Sequence, residues 1–388
     1  MKKFREYLTD NILNFWLKNA VDEKNGGIFT CLDEKGQIYG REKSVWFQGR
    51  ALWCFSKAYN IIEKNERFLR AAELIYRFLP KCTDSDGRMF FSVTEDGTWI
   101  QKRRYYYSET FAAIGCAEYY KARGDYAAAE LAERYFDTAY ELFVHPEKSK
   151  PKFNPKAAPY KALAPVMIML STAQVMRSTG INNEKYNRIA SSCAQEILRG
   201  GYINREIGAL LENVGKNGEF INTPAGRTVN PGHSFEAAWF LMAEGLFSGD
   251  KGLTDAGRDI IDFTMPRGLD AVHGGIRAFG DTLDQPPSAL EWDMKLWWPQ
   301  NEAIIANRLA YGIFGDEKYK NNYEMMLEYA FGNFEDPENG EWYGYLHYDN
   351  TVANKLKGNL FKGPFHLPRM LMILADFEEN GNMEKFFG

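Results

Sequence analysis

Two kinds of helix alternate along this 388-residue chain, and the alternation returns about every 60 residues. Apolar residues at helical spacing predict segments near 3–19, 45–62, 66–80, 107–122, 126–143, 160–178, 183–198, 233–248, 252–265, 297–313, 317–331 and 362–377. One set, opening near 45, 107, 160, 233, 297 and 362, carries Trp, Phe, Met and Ala on every side. Such helices have no face to give to water. The other set, including 66–80, 126–143, 183–198 and 317–331, keeps Lys, Arg and Glu on one face. Between pairs recurs a turn of glycine and an aromatic or aliphatic residue: Asn25-Gly-Gly-Ile-Phe, Asp86-Gly-Arg-Met-Phe, Gly200-Gly-Tyr, His273-Gly-Gly-Ile and Asn339-Gly-Glu-Trp-Tyr. A period of this length signals repeated helical hairpins. Six hairpins with apolar inner helices close into a ring, so the expectation is an all-α (α/α)6 toroid, one domain over residues 1–388. An open solenoid would need polar capping repeats, and neither terminus supplies one.

Composition narrows the partners. Net charge is −5 and no run of Lys or Arg stands out, which argues against nucleic acid and anionic membranes. No stretch approaches 18 apolar residues, and the N-terminal residues lack a signal-peptide core. The five cysteines, Cys31, Cys54, Cys82, Cys116 and Cys193, are dispersed without a C-x-x-C pair. They read as buried thiols in a reducing compartment, and a cytoplasmic protein is expected.

The inner helices share a device at their starts. Proline stands in or near the first turn at Pro165 (or Pro159 just before it), Pro231, Pro299 and Pro364 with Pro368. Proline there fixes where a helix begins. In a toroid these first turns meet at one end, where polar residues gather. The set is Arg50, Glu109, His233 with Glu236, Glu302, and His366 with Arg369. Asn230 can cap the helix that carries His233. A lone histidine so placed is ordinarily a core residue holding a cap, but His366 repeats the arrangement. The other histidines fall elsewhere: His145 in a polar loop, His273 in a turn and His347 after Tyr343-Gly-Tyr-Leu.

Two imidazoles facing one cavity suit proton removal and return at carbon, since a histidine near its ordinary pKa of about 6.5 serves as both base and acid. Placed on opposite sides of a carbon α to a carbonyl, they would take a proton from one face and deliver it to the other. The enolate between would need positive charge, which Arg50, Arg369 and helix N-termini offer. Glu236 and Glu302 could orient the imidazoles or bind hydroxyls. Metal is not expected, because no H-x-x-x-H, H-E-x-x-H or EF-hand loop occurs. Nucleotide, Rossmann and hydrolase-elbow motifs are absent too.

At these residues the chain resembles the N-acylglucosamine 2-epimerases, a family whose mammalian member is also called renin-binding protein. The likeness runs from about Phe4 to Leu374. It is carried by Asn25-Gly-Gly-Ile-Phe-Thr-Cys-Leu, Val45-Trp-Phe-Gln-Gly-Arg-Ala-Leu-Trp and Asn230-Pro-Gly-His-Ser-Phe-Glu-Ala-Ala-Trp-Phe-Leu. Further on it is carried by Leu290-Glu-Trp-Asp-Met-Lys-Leu-Trp-Trp-Pro-Gln-Asn-Glu-Ala, Gly340-Glu-Trp-Tyr-Gly-Tyr-Leu and Phe361-Lys-Gly-Pro-Phe-His-Leu-Pro-Arg. The resemblance implies an (α/α)6 barrel that interconverts N-acetylglucosamine and N-acetylmannosamine through the open-chain sugar. It implies His233 and His366 as the acid/base pair, with Arg50, Glu236, Trp298, Glu302 and Arg369 binding substrate. No cofactor is required. Homodimers and activation by ATP occur among relatives, although this chain has no phosphate-cradling loop.

Three alternatives belong beside this one. Cellobiose and mannose 2-epimerases and aldose–ketose isomerases share the two-histidine chemistry. An inverting glycoside hydrolase would pair Glu302 with Glu109 or Glu236 about 6.5–9.5 Å apart. A protein-binding role without catalysis is suggested only by the alternative family name.

Overall fold

Three of the helix-to-helix links are spelled Gly-Asp. Gly124, Gly249 and Gly315 each end a helix in the left-handed region, at φ 69°, 74° and 67°. The next residue in each case, Asp125, Asp250 or Asp316, accepts a hydrogen bond from the amide two positions on and so caps the following helix. A two-residue link leaves no room for the chain to do anything but turn back. The result is a series of antiparallel hairpins.

The computed structural model describes residues 3–102, 105–149, 154, 156, 157, 159–382 and 386. Its helices are α1 (Phe4–Tyr7), continued by a π-helical stretch Leu8–Leu13 into α2 (Asn14–Asn19), then α3 (Val45–Ile61) and α4 (Glu66–Phe78). Next come α5 (Tyr107–Arg123), α6 (Tyr126–Val144), α7 (Leu163–Arg177) and α8 (Asn183–Arg199). The series ends with the short α9 (Pro224–Arg227), α10 (Pro231–Ser248), α11 (Lys251–Gly268), α12 (Trp297–Phe314), α13 (Glu317–Phe334) and α14 (His366–Asn380). Helices α3, α5, α7, α10, α12 and α14 pack in that order, and α14 returns to α3, closing an inner ring. Each of the first five is backed by the helix that follows it (α11 for α10), while α14 is backed by α1 and the π-helical turn. This is the expected (α/α)6 toroid. The strands among the described residues are two or three residues long and lie in the connecting loops.

The inner helices come close where side chains are missing. A Cβ on Gly49 of α3 would stand 2.3 Å from the backbone of Phe111, and one on Gly115 of α5 would stand 2.6 Å from the carbonyl of Gly49. The contact brings Arg50, the residue after Gly49, against α5.

The loops at the opposite end from the Gly-Asp links repeat a buried ion pair. Asp22 holds Lys43 at 2.8 Å, Asp270 holds Lys295 at 2.6 Å and Asp336 holds Lys357 at 2.7 Å, every partner nearly sealed from solvent. Each aspartate also accepts amides of its own turn. Burial works against these carboxylates, but the lysine and amide donors outweigh it and hold all three below the usual carboxylate range. Gln48 and Gln300, each in the first turn of its inner helix, clamp both the amide and the carbonyl of Ile28 and of Ile276. These loops therefore fix where α3 and α12 begin. Three of the five glycine turns of the sequence, those at Asn25, His273 and Asn339, are the surface sign of this buried ion pair.

Candidate active site

Asn230 caps α10 by accepting the His233 amide at 3.1 Å, with Pro231 at the first helical position. The cap sets the ring of His233 at the inner mouth of the toroid. Its Nδ1 lies 3.0 Å from both carboxylate oxygens of Glu212. Across the mouth, His366 opens α14 and donates from Nδ1 to Glu302 Oε1 at 2.8 Å. Trp298 bridges the two histidines, its ring centroid 5.5 Å from that of His233 and 5.6 Å from that of His366. Gly232 makes room for it, since a Cβ there would meet the indole at 2.4 Å.

In each imidazole a carboxylate engages Nδ1, which assigns the proton to that nitrogen and leaves Nε2 for another partner. The electrostatic settings of the two rings then diverge. Burial works against charge on His233, but Glu212, by charge and by hydrogen bond, with Glu236 and Glu302 behind it, raises its pKa to about 9. His366 is pushed well below the ordinary value, by burial first and then by the guanidinium groups of Arg369 and Arg50. Arg369 Nη2 lies 3.3 Å from His366 Nδ1, a contact between two donors that both turn to Glu302. At neutral pH the site thus holds one charged and one neutral imidazole. Titratable groups driven apart in this way have divided the roles of acid and base.

The remaining charges form one network. Glu302, fully buried, accepts from His366, from Arg369 at 2.7 Å and from the Trp239 indole at 2.8 Å. Arg369 Nη2 also donates to Glu236 at 2.7 Å. Arg50 stands over the Phe111 ring at 4.0 Å and the Phe365 ring at 4.8 Å. Its Nε is buried with no hydrogen-bond partner, and so is that of Arg369. Two buried guanidinium donors without acceptors, beside a pair of imidazoles, are suited to an oxygen that gains negative charge. Ligand atoms of Glu236, Glu302 and His366 come within 4.8 Å of one another, as a metal triad would. The Arg369 guanidinium, bonded to both carboxylates, already supplies the cation there.

The structure brings together Arg50, His233, Glu236, Trp298 and His366 around a cavity of about 510 Å³ at the mouth. Arg369 lines the space that continues beneath them, and Glu302 supports them from behind. Glu109 does not join them. It is sealed beneath the neighbouring loop, where it accepts from Arg88 at 2.8 Å and the Met89 amide at 2.9 Å. Glu236 does not orient an imidazole either; it binds Arg369. The residue missed in the sequence is Glu212, which reaches His233 from a loop between two short strands. For an inverting hydrolase the acid pair is also wrong. Glu109 is outside the cavity, and Glu236 and Glu302 are tied to one arginine nitrogen, closer than the water-bearing separation requires. Of the remaining histidines, His145 is exposed beside Glu147 and His273 lies against Asp270, both outside this network.

Comparison with known proteins gives the family. The profile described as N-acylglucosamine 2-epimerase (GlcNAc 2-epimerase) matches residues 27–362. N-acylglucosamine 2-epimerase of Rattus norvegicus is 35% identical over 376 residues, covering 94% of this chain and 88% of its own. Cellobiose 2-epimerase of Ruminococcus albus is 26% identical over 399 residues, covering 96% and 97%. In three dimensions the cellobiose 2-epimerase of Bacillus thermoamylovorans superposes with a TM-score of 0.83 at 21% identity, over 96% of this chain and 98% of that one. The chain belongs to the N-acylglucosamine 2-epimerase family.

Proposed function

We propose that the protein interconverts N-acetylglucosamine and N-acetylmannosamine by moving a proton at C2 of the open-chain sugar, with His366 and His233 as the two bases. The observation that carries this reading is the pair of imidazoles that share the mouth cavity and both contact Trp298, each held through Nδ1 by its own carboxylate. At neutral pH His366 Nε2 is free to accept the C2 proton of one epimer, while charged His233 gives its Nε2 proton to the opposite face. One turnover leaves His366 charged and His233 neutral, the state required for the reverse reaction. Arg50 and Arg369 meet the oxygen of the enolate between the two transfers. No redox cofactor enters the scheme, because C2 ends at the oxidation state at which it began, and Arg50 and Arg369 supply the positive charge for which a metal would otherwise be needed. We propose a homodimer as the working form, as the family resemblance implies, and a cytoplasmic location, as the dispersed cysteines suggest; ATP plays no part in the chemistry. Among the described residues no helix is long and apolar enough to cross a membrane.

The test is incubation in D2O with N-acetylmannosamine, mannose and cellobiose separately, in the presence of EDTA, followed by NMR. Inversion with deuterium at C2 of the N-acetyl sugar is expected. Turnover of mannose or cellobiose alone would move the substrate to an unmodified sugar, the alternative that the cellobiose 2-epimerase relatives favour.

The split between the histidines predicts a pH profile. kcat/KM should be level near neutrality and fall above about pH 9, where His233 loses its proton. Glu212→Gln removes the carboxylate that raises His233, so burial prevails and the alkaline limb moves to lower pH. The expected displacement is about two units, the distance from 9 back toward 6.5. A profile measured from pH 5 to 10 decides it; an unmoved limb would remove His233 as the acid.

A further inference from the structure

Below the histidines the ring is not filled. A cavity of about 280 Å³ runs down its interior, and Arg50, His233 and Glu236 line both this space and the mouth above it. Its upper walls are Tyr107 and Phe111 of α5 and Met167 and Ile168 of α7, with Phe240 of α10 deeper, about 10 Å below His233. Its floor is polar, closed by Lys57 and Glu118, which lie 3.8 Å apart. Arg50 and Lys57 both stand on the cavity face of α3. At the helical rise they are about 10 Å apart along the axis.

We infer that this interior is an acyl-chain pocket, so that the protein epimerises hexosamines whose N-acyl group is longer than acetyl. The inference rests on the function proposed above. C2 lies between the imidazoles, and its four substituents must go in different directions. The proton faces an imidazole, and the C1 oxygen goes to the open guanidinium donors. The hydroxyl-bearing carbons from C3 onward suit the wetter mouth. The nitrogen substituent is left for the passage between Arg50, His233 and Glu236. An acetyl group takes up little more than a water or two, at about 30 Å³ each, and would leave most of an apolar space empty. An apolar chain has there what it lacks in water. Each added methylene that is fully buried can raise apparent affinity by up to about fourfold.

The experiment is to measure kcat/KM for N-acetyl-, N-propanoyl-, N-hexanoyl- and N-dodecanoylmannosamine by C2 deuterium exchange and NMR. The hexanoyl sugar is expected to match or exceed the acetyl sugar, and the dodecanoyl sugar to fall off because the Lys57–Glu118 floor stops it. Ile168→Trp, high in the wall, should lower the hexanoyl-to-acetyl ratio at least tenfold. Val175→Phe, about 10 Å deeper on α7, should cut the ratio less and act on the longest chain that the unaltered protein accepts. Each variant's own acetyl rate is the reference, so a loss of folded protein cancels. A hexanoyl rate tenfold or more below acetyl in the unaltered protein overturns the pocket alone, and so does a ratio that neither variant moves. Exchange with mannose but with no N-acyl sugar overturns the pocket and the parent reading together.

Discussion

Replacing His366 with alanine is expected to abolish net epimerisation, and replacing His233 to do the same, while each variant keeps half of the exchange chemistry. The cycle needs a proton taken from one face of C2 and another delivered to the opposite face. With one imidazole gone, the survivor can still remove and return a proton on its own side. In D2O one variant should therefore wash deuterium into N-acetylglucosamine without inversion, and the other into N-acetylmannosamine. General acid–base assistance is worth roughly 10²–10⁴-fold, and net turnover should fall by at least that much. Both substitutions spare the fold's main supports. His233 sits behind the Asn230 cap and Pro231, and His366 between Pro364 and Pro368, all of which remain, so thermal unfolding should change little. The measurement is loss of the C2–H signal against appearance of the other epimer. Near-normal inversion by either variant would return that histidine to a structural role.

That both histidines could be found from sequence follows from how they are placed. Asn230-Pro-Gly-His and Pro364-Phe-His-Leu-Pro mark helix starts by local chemistry, and the 60-residue period brings those starts to one end. Arg50 follows for the same reason. What periodicity does not supply is the rotation of each helix about its axis. Tyr107, Phe111, Ile114 and Glu118 line the interior, so Glu109 lies about 200° round from Tyr107, at 100° per residue, and faces the outer loop. Its place in the first turn was legible, but its direction was not. Glu212 failed differently. Its link to His233 spans 21 residues and runs from a loop, where neither helical spacing nor a capping signature applies. Only the pairing of short strands, Tyr160–Ala162 with Asn213–Gly215, brings it under the imidazole. The lysines of the segment before α14 were equally opaque. Nothing in the local sequence marks Lys357 and Lys362 for burial, yet both are buried, on Asp336 and on Glu341. They anchor the loop from which His366 begins α14.

Removing Arg50 should affect both directions and both kinds of measurement alike. Its guanidinium lies between Phe111 and Phe365, its Nε has no acceptor, and it faces the space between the imidazoles. Burial pulls its pKa below the usual guanidinium value, against the opposing pull of Glu236, yet it stays charged at neutral pH. A cation held there without a full set of partners is a ready donor for an oxygen that becomes charged only as the C2 proton leaves. Deleting one such preorganised donor costs roughly 10²–10³ in kcat. Arg50→Ala should therefore lower inversion and C2 exchange together, from either epimer, with KM changed much less than kcat. The histidine variants keep exchange on one face, and this contrast separates charge stabilisation from proton transfer. Arg50→Lys restores charge without the planar donor, so it should recover part of the loss. The folded state should tolerate the change, because Arg369 still neutralises Glu236 and Glu302. If Arg50→Ala raised KM and left kcat and exchange intact, Arg50 would be a ground-state contact, and the enolate would have to rely on Arg369 alone.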